Sequence, residues 1–84
     1  MALSVRIITP DSQIERDGVE MVVAPGKMGE LGILPKHTQM LSTLKEGRVR
    51  LKKEGKEEGF KISPGFLEVM KDKVTFLVKE AESL

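Results

Sequence analysis

Apolar and polar residues alternate along much of this chain in short runs. Val5 and Ile7 flank Arg6, and in a later run Val49 and Leu51 share one face. A period of two residues with β-branched side chains is typical of half-buried β-strands. The pattern predicts strands over residues 3–9, 13–16, 19–24, 29–34, 47–52, 60–63, 66–70 and 73–79. No run has the period of an amphipathic helix, so an all-β domain is predicted.

Turn-forming residues stand between these runs. Asp17-Gly18 is a strong two-residue hairpin signal, and Lys71-Asp72 lies where another tight hairpin is predicted. Pro25-Gly26 is predicted to end the third strand, and residues 53–59 are predicted to form a polar hairpin connection. The run 39–45 fits either a short strand or a single helical turn, and both interpretations stay open.

The stretch 24–44 combines frequent bends with apolar side chains. Its glycines and prolines are too closely spaced for a long helix, yet it is rich in Met, Leu and Ile. The strand predicted just before it, 19–24, has apolar residues on both faces, as expected for a strand covered on both sides or lying against a partner. The stretch is therefore predicted either to complete a small core or to contact another protein.

Composition limits the classes of protein that this chain can represent. With 84 residues it is expected to form one domain, covering 1–84, with a thin core. The absence of cysteine excludes disulfides, a thiol nucleophile and cysteine-based zinc sites. A net charge of +1 does not suggest a dedicated polyanion binder. No secretory or transit segment is recognised, and no apolar run approaches the roughly 20 residues of a membrane span, so membrane association is expected only through other components.

Candidate chemistry is sparse. His37 has neither a cysteine nor a suitably spaced carboxylate beside it, which argues against a metal site and a general base. Arg48, Arg50 and Lys52 form a basic stripe, but no Trp or Tyr accompanies it and all three Phe residues are assigned to the core. The stripe is therefore predicted to be a solvated sheet face balanced by nearby glutamates, without nucleic acid as a partner. No cofactor, catalytic residue or metal ligand is predicted.

One sequence block carries a family resemblance. Gly29-Glu30-Leu31-Gly32-Ile33-Leu34-Pro35-Lys36-His37, followed by Met40-Leu41-Ser42-Thr43-Leu44, resembles the N-terminal domain of the epsilon subunit of F-type ATP synthases. Val5-Arg6-Ile7-Ile8-Thr9-Pro10 and Ser63-Pro64-Gly65-Phe66-Leu67-Glu68-Val69 extend the resemblance over nearly the whole chain. It implies a flattened β-sandwich of about ten short, mostly antiparallel strands. The C-terminal helical hairpin that many epsilon subunits carry is not expected within these residues.

The resemblance also implies a function. It suggests a non-catalytic rotor subunit that links the gamma subunit to the membrane c ring, on the cytoplasmic face of the bacterial membrane. By the same resemblance, the residues expected at the c ring are Lys27, Met28, Gly29 and Glu30. Those expected to face gamma are Thr9, His37, Met40, Leu41 and Ser42.

Each of these assignments has a plainer alternative. His37 could simply complete a bend through backbone hydrogen bonds, and Glu30 could be a solvated surface charge. At the level of the whole domain, an independent β-sandwich or β-barrel module for RNA or peptide is the main competing class. A small enzyme or carrier domain is the other.

Overall fold

The computed structural model describes residues 2–84, and this part of the chain contains ten β-strands and no helix. Accordingly, no helix within this part is long and apolar enough to cross a membrane. The strands are β1 Leu3–Ile8, β2 Gln13–Val19, β3 Met21–Gly26, β4 Gly29–Ile33, β5 Met40–Leu44, β6 Gly47–Lys53, β7 Lys56–Ile62, β8 Gly65–Met70, β9 Lys73–Val78 and β10 Ala81–Ser83.

All ten strands belong to one curled sheet, in the order β10-β7-β6-β3-β5-β8-β9-β1-β2, with β4 paired to β3 off this path. Only β1 and β9 pair in parallel, so the predicted mostly antiparallel fold is confirmed. The two halves of the sheet are joined at a single bridge, Gly26 opposite Leu44. Beyond that bridge they diverge and pack face to face, which makes the domain a β-sandwich.

One core lies between the two halves. It takes the inward side chains of the alternating strands, among them Val5, Ile7, Val49, Phe60 and Phe76, each at most 3% exposed. No polar or charged residue among 2–84 is buried with them. The two-residue period in the sequence therefore arises because every second side chain of a strand points into this core and is removed from water.

Strand β3 is the exception to alternation. Residues Val22, Val23, Ala24, Pro25 and Gly26 are all buried in succession. One edge of β3 pairs first with β6 and then with β5, and the other edge pairs with β4, so this strand lies where the two halves meet. The apolar character of both its faces, noted in the sequence, is explained by this central position.

One predicted turn is wrong, and one predicted hairpin connection is shorter than expected. Asp17-Gly18 does not close a hairpin, because β2 and β3 do not pair; β2 continues beside β1 as far as Val19, which lies opposite Leu3. The two residues form a bulge instead, with Gly18 at φ +67. The predicted hairpin at 53–59 is confirmed, since β6 and β7 pair across it, but its turn is only Glu54-Gly55 and β7 already begins at Lys56.

Other element predictions need smaller changes. Pro25-Gly26 does not end the third strand, because both residues belong to β3 and the turn follows at residues 27–28. The open question over 39–45 resolves as strand β5, and strand β10 had no counterpart among the strands predicted from the pattern. The Lys71-Asp72 turn is confirmed, with φ of 48° and 62°.

The assignment of every Phe to the core is also wrong. Phe60 and Phe76 are buried, but Phe66 is 52% exposed. The Phe66 side chain points outward from β8, because the alternate residues Leu67 and Val69 point into the core. Its exposure places an aromatic ring on the outer face of the sheet.

Candidate functional site

The β3–β4 hairpin presents the most exposed large apolar side chain of the described residues. Its turn consists of Lys27 and Met28, and Met28 is 98% exposed. Gly29 follows at φ +140, a conformation that L side chains rarely adopt. The backbone on either side is held by the β3–β4 ladder and by a hydrogen bond from Lys27 N to Thr43 O of 3.1 Å. A rigid hairpin therefore supports a solvent-facing tip.

Glu30 lies just behind this tip. Its Oε2 accepts a hydrogen bond from Nη2 of Arg50 at 3.4 Å, with the two side chains 68% and 39% exposed. A long ion pair in this exposed setting contributes about 0 to 1 kcal/mol. The carboxylate can therefore exchange Arg50 for another positive or hydrogen-bonding group at little cost.

Of the residues assigned to gamma, only Ser42 adjoins the tip. Ser42 and Thr43 of β5 line one shallow depression together with residues 26–31 of the hairpin. The backbone explains the proximity, because β5 meets β3 where the two halves of the sheet separate. The four residues assigned to the c ring therefore lie together, and Ser42 lies beside them.

The other residues assigned to gamma belong to different elements of the fold. Leu41 points outward from β5 and is 74% exposed, whereas Met40 turns inward and packs against the core. Thr9 follows β1, where its hydroxyl accepts the Ser12 N–H at 3.0 Å. His37 is in the β4–β5 loop, and its Nδ1 is 2.7 Å from Thr38 O. These positions make Leu41 the one assigned side chain on an open sheet face.

An apolar row on that same outer face was missed by sequence reasoning. Phe66, Leu77 and Ile8 stand side by side on β8, β9 and β1, because Phe66 pairs with Leu77 and Leu77 with Ile8. Phe66 and Leu77 are 52% and 47% exposed. Residues 8–10, 64–66 and 77–79 line one groove along this row. The sequence did contain a signal for this row, because Phe66 and Leu77 are apolar residues at outward positions, where the alternation predicts polar side chains.

We call Ile8, Phe66 and Leu77 the outer apolar row. Thr43 lies opposite Phe66 in the sheet register, and Leu41 is two residues further along β5, so Leu41 lies one step diagonally from the row. Thr9 directly follows Ile8 at the other end. The row thus connects two of the predicted gamma residues, Thr9 and Leu41, into one surface.

The open edge of the sandwich is closed by a charged pair. Arg16 Nε and Nη2 donate to the two carboxylate oxygens of Glu58 at 2.9 and 3.0 Å, joining β2 to β7, which do not pair through their backbones. The Arg16 guanidinium also lies 5.8 Å from the ring centroid of Phe60. The hydrogen bonds to Glu58 raise the pKa of Arg16, outweighing the opposing effect of its slight burial.

Within the described part of the chain, no exposed aromatic side chain lies on the strand of the basic stripe, since Phe60 is buried and the exposed Phe66 belongs to β8. Arg50 pairs with Glu30, and Arg48 and Lys52 are exposed on the same strand. Among residues 2–84, no group of three or more His, Asp or Glu side chains is arranged to hold a metal ion. The exposed apolar features described above are the tip and the outer apolar row.

Comparisons with known proteins point to one family. The family model for the ATP synthase delta/epsilon chain β-sandwich domain matches residues 2–84. The chain is 46% identical over 80 residues to an ATP synthase epsilon chain of Alkalihalophilus pseudofirmus, covering 95% of this chain and 60% of that protein. It is 44% identical over 81 residues to the epsilon chain of Bacillus subtilis, covering 96% of this chain and 61% of that protein. The chain thus spans about three fifths of the length of these relatives.

Solved structures agree on the fold. A chain of the Euglena gracilis mitochondrial ATP synthase, in a structure of its OSCP, F1 and c-ring, superposes with a TM-score of 0.90 at 24% identity. The match covers 98% of this chain and 53% of that one. A chain from the central stalk and c-ring of the Tetrahymena thermophila mitochondrial enzyme gives 0.79 at 18% identity, covering 96% and 66%.

Proposed function

Because this chain belongs to the family of ATP synthase delta/epsilon β-sandwich domains, we propose that it acts as a non-catalytic subunit of the central stalk. In this role it joins the gamma subunit to the membrane c ring and turns with them. Its place is peripheral, on the cytoplasmic face of a bacterial membrane. Rotation driven by proton or sodium flow passes through the ring to gamma, and this domain holds the two together.

The observation that carries the proposal is the presence of two separate exposed apolar surfaces on one hydrogen-bonded sheet. The outer apolar row spans three hydrogen-bonded strands, and Met28 stands at the end of a hairpin. An apolar row on a sheet face suits a broad protein contact, which buries aromatic and aliphatic side chains at its centre. We assign this surface, with Leu41 and Thr9, to gamma.

The hairpin tip suits a smaller and more polar contact. Met28 offers a flexible thioether, and Glu30 offers a carboxylate whose ion pair with Arg50 is long and exposed. Such a carboxylate can accept charge-assisted hydrogen bonds from basic or amide side chains. We assign Lys27, Met28, Gly29 and Glu30 to the loops of the c ring.

The sheet connects the two surfaces mechanically. The tip is continuous with β3, β3 bridges to β5, and β5 pairs with β8, which carries Phe66. A force applied at the tip therefore reaches the outer row through backbone hydrogen bonds, which span neighbouring strands without a flexible linker. This stiffness is what a part that transmits torque requires.

Co-elution tests the gamma assignment. The chain is mixed with the gamma subunit of a closely related bacterium and run on size-exclusion chromatography at low salt. A one-to-one complex is expected. Separate elution of the two proteins at micromolar concentration would contradict the proposal. A salt-sensitive gel shift with RNA would instead favour a nucleic-acid-binding module.

A further inference from the structure

Two tight turns meet at one edge of the domain. Leu34–His37 form a β-turn closed by a hydrogen bond from His37 N to Leu34 O of 3.1 Å, with Lys36 at φ 67. Pro at the second position and a positive φ at the third are the features of a type II turn. The facing turn joins β8 to β9 through Lys71 and Asp72, both with positive φ, as in a type I′ turn.

Neither turn uses the residue that its geometry favours. The third position of a type II turn and the second central position of a type I′ turn both favour Gly, but here they are Lys36 and Asp72. For Asp72 the structure supplies a reason. Its carboxylate Oδ1 accepts the backbone N–H of Lys36 at 2.6 Å, across 36 positions of sequence. In a type II turn this N–H points away from the turn and has no partner within it.

This bond ties the loop that carries His37 to the β8–β9 turn. Within the described residues, it is the one hydrogen bond that joins Pro35–Thr38 to a distant part of the chain; the others, at His37, stay inside the loop. Asp72 is itself fixed, because its backbone oxygen accepts the Ser4 N–H at 2.9 Å. The loop is thus tied through Asp72 to β1, β8 and β9, three strands of the half-sheet that carries the outer apolar row.

We propose that Asp72 is a positioning residue for the gamma contact: its carboxylate holds the Leu34–His37 turn so that Leu34 and His37 stand in place before the partner binds. Leu34 is 55% exposed and His37 half-buried, so both can reach a partner from this loop. A loop ordered in advance loses less conformational entropy on binding. The inference rests on the proposed function, since it deepens the assignment of His37 to gamma.

Two glycine substitutions in the same turn separate the carboxylate from the turn geometry. Asp72→Gly removes the acceptor but relieves the positive φ, so the β8–β9 hairpin is expected to keep its stability. Lys71→Gly relieves the neighbouring positive φ and leaves the carboxylate in place, which makes it the matched control. Asp72→Asn keeps an oxygen acceptor and should behave between wild type and Asp72→Gly.

The first readout needs no partner. In the 84-residue chain, amide exchange of Lys36 and His37 measured by NMR should speed up by about tenfold in Asp72→Gly, the effect of losing one charge-assisted hydrogen bond. The Lys36 amide proton should also move upfield. Lys71→Gly should change neither. Unchanged Lys36 exchange in Asp72→Gly would overturn the proposal.

The second readout is affinity for the gamma subunit. Asp72→Gly should weaken binding by about three- to tenfold, because a loop that is no longer held in place must lose the freedom of a few side chains on binding. Lys71→Gly should bind as wild type does. Equal loss in both variants, or none in Asp72→Gly despite faster exchange, would also overturn the proposal. If wild type itself fails to bind gamma, the proposed function fails, and the exchange experiment alone decides whether Asp72 orders the loop.

Discussion

Leu77 at the centre of the outer apolar row gives the sharpest test of the proposal that this surface faces gamma. Leu77 lies between Phe66 and Ile8 in the sheet register and is 47% exposed. Leu77→Asp places a carboxylate where a partner is proposed to exclude water. The matched control is Leu84→Asp, which makes the same change at a 59% exposed leucine beside β7, in the other half of the sheet.

The structure predicts different sizes for the effects on folding and on binding. Because Leu77 is already half in water, losing its remaining burial and placing Asp in a strand should cost about 1 to 2 kcal/mol of unfolding free energy. A domain of 84 residues is expected to have about 4 to 13 kcal/mol in total, so the variant should stay folded. Burying the same carboxylate under gamma without a partner should cost more than about 2 kcal/mol of binding free energy, or a loss of more than about 30-fold in affinity.

Two measurements separate these effects. Thermal unfolding followed by circular dichroism should show a lower midpoint temperature for Leu77→Asp than for wild type. The expected decrease is about 4 to 8 °C for each kcal/mol of unfolding free energy that is lost. Titration calorimetry with gamma is done well below the unfolding temperature of the variant. It should show the large loss of affinity for Leu77→Asp and a loss of less than about threefold for Leu84→Asp. Equal losses in the two variants, or no loss in a folded Leu77→Asp, would refute the assignment of this face.

Four further predictions follow from other parts of the domain. Leu41→Asp should weaken gamma binding in the same calorimetric assay far more than Arg50→Ala, because a buried interfacial charge costs several kcal/mol and an exposed one little; equal effects would contradict the face assignment. Arg16→Leu should lower the unfolding free energy by about 1 kcal/mol in urea titrations, and the difference from wild type should shrink in high salt. The raised pKa of Arg16 means that its guanidinium keeps its charge far above neutral pH. The difference in unfolding free energy between wild type and Arg16→Leu should therefore stay constant between pH 7 and 9, and a steep decrease over this range would contradict the geometry of the pair. Gly65→Ala should cost about 1 to 3 kcal/mol, because an added Cβ would overlap a backbone carbonyl oxygen of β9; an unchanged urea midpoint would show that the backbone can move aside. Met28→Asp should change the unfolding free energy by less than about 0.5 kcal/mol yet weaken capture by a detergent-solubilised c ring, and unchanged capture would remove Met28 from that contact.

Local sequence could indicate one part of the candidate site, the hairpin tip, but not the other, the outer apolar row. The hairpin tip consists of contiguous residues, Lys27 to Glu30, which overlap the start of the block that carries the family resemblance. The outer apolar row came from three strands that are distant in sequence, and one of them, β1, pairs in parallel with β9. No local pattern relates Ile8 to Leu77 and Phe66, because their proximity arises from sheet register alone.

By itself, the sequence determined that this chain is all β and where most strands lie, because a two-residue alternation of apolar and polar side chains is stable as a strand with one face buried. Tertiary structure decided the rest. It made Asp17-Gly18 a bulge, because β2 continues beside β1 and buries Val19 opposite Leu3. It also turned Phe66 outward and brought Asp72 to the backbone of Lys36. These outcomes depend on which strands become neighbours, and that choice is made by the packing of the whole core.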